Sequence, residues 1–161
     1  MQKTVFEIRI ANFKSKNLIL RPFLPPWINM GKYKFTNEFE FQASPKILFE
    51  FISTPVGLSQ WFCEKATPSL QNAWNLVWDG ADHPALLTHN KPHKLVRFQF
   101  QAQEVDDQAD PSYIQFEIEK SELTRVAFLK ITDYSAMTNR QELEELWENL
   151  ISNLKTVIRE K

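Results

Sequence analysis

Cysteine occurs once and glycine three times in 161 residues. A single thiol, Cys63, rules out an intrachain disulfide framework and fits a reducing compartment, so a cytoplasmic location is the expectation. Cys63 itself reads as a buried structural thiol rather than a nucleophile. The chain has no glycine-rich loop to cradle a phosphate, no G-x-S-x-G elbow and no H-E-x-x-H pair, which removes the commonest signatures of nucleotide, hydrolase and metalloprotease chemistry. Charge of either sign is not in excess: 19 basic residues stand against 20 acidic ones, a net of −1. Such a balance gives no general attraction to nucleic acid or to an anionic membrane surface, and neither is an expected partner. No apolar run approaches the roughly 20 residues of a membrane span. What the chain does have is 43% apolar residues and 13% aromatics, enough for one domain with a sizeable core.

Residues 1–29 differ from the rest. Lys3, Arg9, Lys14, Lys16 and Arg21 face a single acid, Glu7, so this stretch carries +4 and residues 30–161 about −5. Pro22, Pro25 and Pro26 beside Trp27 break any helix there. No small-residue cleavage site follows an apolar core, so no export signal is expected. The reading is a basic, proline-containing tail over 1–29 and a domain over 30–161, with Met30 as an alternative start.

The pattern becomes informative at Tyr33. Tyr33, Phe35, Phe39 and Phe41 alternate with Lys34, Thr36, Glu38 and Glu40, the signature of a half-buried strand. Ser44-Pro45 then supplies a helix start, a hydroxyl to accept an orphan N–H and a proline that lacks one. Leu48, Phe51 and Ile52 make the apolar face of that short helix. Thr54-Pro55 repeats the start signal, and a second helical piece closes on Trp61-Phe62.

Beyond Phe62 the spacing is that of strands. Trp74, Leu76 and Trp78 share one face before the Asp79-Gly80 turn signal. Ala85 to His89 reads as the return strand and Asn90-Lys91-Pro92 as a turn. The next strand runs from Lys94 to Ala102, with Val96, Phe98 and Phe100 on one face. Glu104 to Pro111 is an acidic loop. Ile114, Phe116 and Ile118 mark the following strand, and Leu123 to Thr132 a last one with both faces apolar, Val126 and Phe128 against Ala127, Leu129 and Ile131. Short connections make these strands antiparallel. The chain ends in an amphipathic helix of about 23 residues, started by a Thr138/Gln141 capping box and carrying Leu143, Leu146, Trp147, Leu150, Ile151 and Leu154 on one face.

This order of elements resembles the helix-grip fold of the START-like (SRPBCC-type) superfamily, an α+β fold in which a curved antiparallel sheet wraps a long C-terminal helix, with two short helices after the first strand. The likeness is nearest to the domain of activators of the heat-shock-ninety ATPase: Ser44-Pro45 with Phe49 stands where those proteins start a helix with proline, and Leu58 to Trp61-Phe62 where they lead a leucine into a tryptophan-aromatic pair. It covers residues 33–161. The scarcity of glycine departs from the family's glycine-rich strand turns.

The resemblance implies a cavity between sheet and helix that holds a small hydrophobic or aromatic ligand. Its expected lining is Trp61, Phe62, Trp74, Trp78, Phe98, Phe100, Phe116, Phe128 and Trp147, with Arg97 or Arg125 to orient the guest; the same side chains can instead fill that interior. Three functions stay open: non-catalytic ligand binding, a chaperone-associated module that meets a protein partner or a second copy, and an enzyme like the superfamily's cyclases or hydrolases, which needs an acid or base inside the cavity. The acids Glu142, Glu144, Glu145 and Glu148 read as a solvated helix face. His83, His89 and His93 stand six and four residues apart, not at fixed ligand spacing, so neither metal nor cofactor is expected.

Overall fold

The computed structural model describes residues 31–102 and 109–159. The basic stretch 1–29, the alternative start at Met30 and residues 104–108 of the acidic loop lie outside the described residues. Strand β1 (Tyr33–Phe41) alternates as its sequence requires, with Phe35 and Phe41 buried and Lys34, Thr36, Glu38 and Glu40 exposed. It leads into α1 (Pro45–Ser53), where the Ser44 hydroxyl accepts the Ile47 N–H at 3.3 Å and proline occupies the first turn. Leu48, Phe51 and Ile52 are 2% exposed or less. Their burial stabilises the fold by about 1.5–3 kcal/mol each, as an upper bound.

The Thr54 side chain both ends α1 and begins α2 (Pro55–Ser59): its hydroxyl donates to Glu50 O at 2.7 Å and accepts the Gly57 N–H at 3.0 Å. The bend expected between two proline-started helices is therefore built from one side chain.

The remaining strands are β2 (Lys65–Pro68), β3 (Ala73–Trp78), β4 (Ala81–Lys91), β5 (Leu95–Phe100), β6 (Tyr113–Lys120) and β7 (Ala127–Ser135). All pair antiparallel in the order β1-β7-β6-β5-β4-β3-β2. From β2 to β7 the sheet is a meander; β1 alone pairs out of sequence, against β7, while α1 and α2 carry the chain from one edge of the sheet to the other. Asp79 and Gly80, at φ 50° and 69°, form the two-residue turn between β3 and β4. One register shift, between Leu87 and His89, inserts an extra residue into β4, which bends it.

Helix α3 (Arg140–Arg159) spans 20 residues, about 30 Å. It buries Leu143, Leu146, Trp147, Leu150, Ile151 and Leu154 against the sheet's inner face, and the core lies between them. This is the expected α+β helix-grip architecture.

Three local expectations need correction, and one strand was not foreseen. Helix α3 is capped by Asn139, whose Oδ1 accepts the N–H groups of Gln141 and Glu142 at 3.1 and 3.3 Å, and not by Thr138: adjacent residues of equal capping strength left the sequence ambiguous. The turn before β5 falls at Pro92-His93-Lys94, because β4 runs on through Lys91 and His93 takes the left-handed conformation at φ 61°. Strand β7 starts at Ala127, and Leu123 in the preceding turn is 96% exposed. The edge strand β2, only four residues long, had no alternation to announce it.

Candidate functional site

The inner face of the sheet and α3 enclose a nucleus of aromatic rings centred on Phe62. Phe62 lies 5.2 Å from Trp78, 5.4 Å from both Trp61 and Phe116, and is stacked at 6.1 Å on Trp147, with 17° between the planes. Edge-to-face and offset contacts of this kind add to burial, by about 0.5–1.5 kcal/mol per pair. Each of three indoles has its N–H placed: Trp61 donates to Phe51 O at 3.0 Å, Trp78 to Phe62 O at 2.6 Å, and Trp147 to Asp133 Oδ2 at 3.1 Å. The rings are thus fixed at both their apolar and their polar ends.

Of the nine side chains expected to line a cavity, Trp61, Phe62, Trp74, Trp78, Phe98, Phe116 and Trp147 are buried in this nucleus. Phe100 packs on its margin, 6.0 Å from Trp78. Phe128 is not among them: it shares a face of β7 with Lys130, opposite the buried Leu129 and Ile131, so it lies on the outer surface of the sheet. With apolar residues at both parities, the sequence left the inward face of that strand undetermined. Arg97 also stands on the outer face, between buried Val96 and Phe98, and Arg125 is exposed in the turn before β7. Neither reaches the interior.

Half-buried His83 of β4 faces inward, paired with Leu76 and 4.9 Å from Trp78, and two buried polar side chains face inward from β7. Asp133 is fully buried beneath Trp147, and Ser135, 7% exposed, has no hydrogen-bond partner for its hydroxyl among the described residues. Sequence reasoning named neither, because both sit past the residue at which the strand was expected to end. A concavity of about 240 Å3 lies elsewhere, open to solvent at the ends of β4 and β5, lined by Leu86, Gln99, Phe100, Gln101, Ala102 and Pro111. Only Phe100 of the nine expected residues borders it.

The outer face carries the second arrangement the sequence did not disclose. Sheet register sets Leu86, Gln99, Tyr113 and Tyr134 opposite one another on four neighbouring strands, and Arg97 beside Gln115 in the next row. The Arg97 guanidinium lies 4.3 Å over the Tyr113 ring, and its Nε and Nη2 both donate to Gln115 Oε1, at 2.8 and 2.6 Å. Tyr113 and Tyr134 are 5.3 Å apart, and the Tyr134 hydroxyl donates to Asp110 Oδ2 at 2.6 Å. That carboxylate, by accepting the hydrogen bond of the protonated phenol, holds Tyr134 above its usual pKa. Half-buried tyrosine and arginine, held in place by their own neighbours, have the composition of an interface centre.

Cys63 belongs to neither arrangement. It is buried, and burial pushes its thiol up to about 12, the Ser59 hydrogen bond offsetting only part of that. The group is a neutral thiol throughout the physiological range. A disulfide exchange reagent at pH 8 is expected to leave the native protein unmodified and to titrate one thiol after unfolding; rapid reaction of the native protein would contradict this burial.

A curved antiparallel sheet closed over a long terminal helix, with a short helix pair bridging its two edges, defines a helix-grip protein. The chain belongs to the START-like superfamily: the model of the START-like superfamily domain matches residues 29–160. No curated protein matches it in sequence. Solved structures with the same fold include the Aha1 dimer from Colwellia psychrerythraea, 18% identical, with a TM-score of 0.63 over 76% of this chain and 93% of that one. An HSP90 activator from Plasmodium falciparum is 16% identical, with a TM-score of 0.58 over 78% and 95%. A Bacteroides fragilis protein is 28% identical, with a TM-score of 0.54 over 80% and 92%. Among the described residues no helix is long and apolar enough to cross a membrane.

Proposed function

We propose that this chain is a non-catalytic, chaperone-associated protein-binding module that meets its partner through the outer face of the sheet. The observation that carries this reading is the filled interior: Trp147 stacks on Phe62 where a guest molecule would lie, so the rings expected to line a cavity occupy it instead. An interior without room leaves the surface to do the work. The outer face then offers Tyr113, Tyr134 and Arg97, residue types that dominate binding energy when they are held rigid. The likeness to an HSP90 activator and to Aha1 supports the choice of partner class. Asp133, the acid that an enzyme of this fold would need inside, is sealed under Trp147.

Titration calorimetry of the full chain against an HSP90-type ATPase from the same organism tests the reading. Binding is expected, and Arg97→Ala combined with Tyr113→Ala is expected to weaken it at least about tenfold. Absence of binding overturns the reading.

A second reading rests on Ser135. An unpartnered buried hydroxyl is uncommon and invites a ligand's polar group. A small aromatic guest bearing a hydrogen-bond donor would then enter by displacing Trp147 from Asp133. Native mass spectrometry of freshly purified protein tests this: a retained small molecule favours the second reading, and a clean apo mass removes it.

A further inference from the structure

We propose that the free edge of β1 is a self-association surface, pairing antiparallel with the same edge of a second copy about a two-fold axis at Asn37. This inference is independent of the proposed chaperone association, since it rests on a different surface. β1 stands at the end of the strand order, and among the described residues no strand covers its outer side. It is nine residues long, with no register shift against β7 and no proline, so it lacks the bulges and prolines that blunt such edges elsewhere. The opposite edge strand, β2, is four residues long and ends in Pro68.

The sequence of β1 is complementary to itself in one register that uses the whole strand. With Asn37 on the axis, all residues from Tyr33 to Phe41 are paired. Lys34 then faces Glu40 of the second copy, and by symmetry this happens twice. Thr36 faces Glu38. On the inner face Phe35 faces Phe39 and Tyr33 faces Phe41, so the half-buried rings of Tyr33 and Phe39 each gain an aromatic neighbour. Backbone polarity agrees with this register. The Glu38 N–H is met by the Asn37 side chain at 2.9 Å, which assigns the outward-directed backbone groups to the even-numbered residues. Lys34–Glu40 and Thr36–Glu38 thereby become the hydrogen-bonded pairs, Asn37 a non-hydrogen-bonded one, and the Asn37 Oδ1 contact is exchanged for a bond to Thr36 O of the second copy. A register centred on Thr36 instead sets Lys34 against Glu38 but pairs only seven residues.

Sedimentation equilibrium of the full chain is expected to give a concentration-dependent dimer below about 200 µM. Lys34→Glu, at an exposed position, is expected to weaken it at least tenfold, Glu40→Lys likewise, and the two together to restore it. Asn37→Cys is expected to form an intermolecular disulfide on mild oxidation, because an axial residue meets its own copy; Lys34→Cys is not. A monomer throughout the concentration range, or a dimer indifferent to Lys34→Glu, overturns the proposal. Rescue of Lys34→Glu by Glu38→Lys and not by Glu40→Lys overturns the register. A wild-type chain that is monomeric throughout yet binds an HSP90-type ATPase overturns this inference while leaving the functional one intact.

Discussion

Replacing Trp147 with alanine is expected to destabilise the protein by about 3–5 kcal/mol in urea unfolding, about a fifth or more of the roughly 5–15 kcal/mol typical of a whole domain. Three losses coincide at this residue. The largest fully buried side chain disappears from between sheet and helix, Phe62 loses its stacked neighbour at 6.1 Å, and Asp133 loses the indole N–H at 3.1 Å. The surrounding rings are fixed by their own hydrogen bonds, so the space left cannot collapse readily, which puts the cost at the upper end of its range. Trp147→Phe separates the terms: it keeps most of the packing and gives up the N–H, for about 1–3 kcal/mol. Millimolar indole is expected to raise the melting temperature of Trp147→Ala and not of the wild type, since it refills the space and returns an N–H to Asp133. Equal losses for alanine and phenylalanine would show that packing at this position is unimportant.

Gly57→Ala is expected to cost about 3 kcal/mol, the top of the usual range for overpacking. Gly57 is not in the left-handed region, so conformational freedom is not the issue. Close approach is. A Cβ there would overlap Glu50 O and lie 2.6 Å from Phe51 Cα, both backbone atoms of α1. Neither can rotate away, and moving α1 would drag buried Leu48, Phe51 and Ile52 out of the core. For a domain of this size the loss corresponds to a melting temperature lower by about 6–12 °C. A change under 2 °C, as ordinary helix propensity favouring alanine would give, would refute the close packing of α1 on α2.

Much of this fold is legible in the sequence because the signals are local. Ser44-Pro45 and Thr54-Pro55 start helices through hydrogen bonds that reach three residues along the chain, and the alternation in β1, β3 and β6 follows from the pleat alone. Of the nine aromatics expected to line the interior, Trp74, Trp78, Phe98 and Phe116 follow from strand parity and Trp147 from the helical stripe. Phe128 did not, because its strand is apolar at both parities and only pairing with β1 and β6 decides which side faces α3. Whether the rings line a space or fill it depends on volumes summed over several elements, which no local pattern encodes. The cluster of Arg97, Tyr113 and Tyr134 joins three strands and exists only once register sets them side by side. Read singly, each looks like a solvated position on the wet face of an antiparallel sheet.

The pairing of the first strand with the last fixes an order of events during synthesis. β1 emerges early, but its partner β7 is made almost at the end, and α3, which covers their common inner face, comes later still. The meander can assemble as it leaves the ribosome, whereas Phe35 and Phe41 must wait, exposed, for nearly the whole chain. Closing so long a loop is slow. A nascent chain halted before β7 therefore presents a bare aromatic strand to its surroundings.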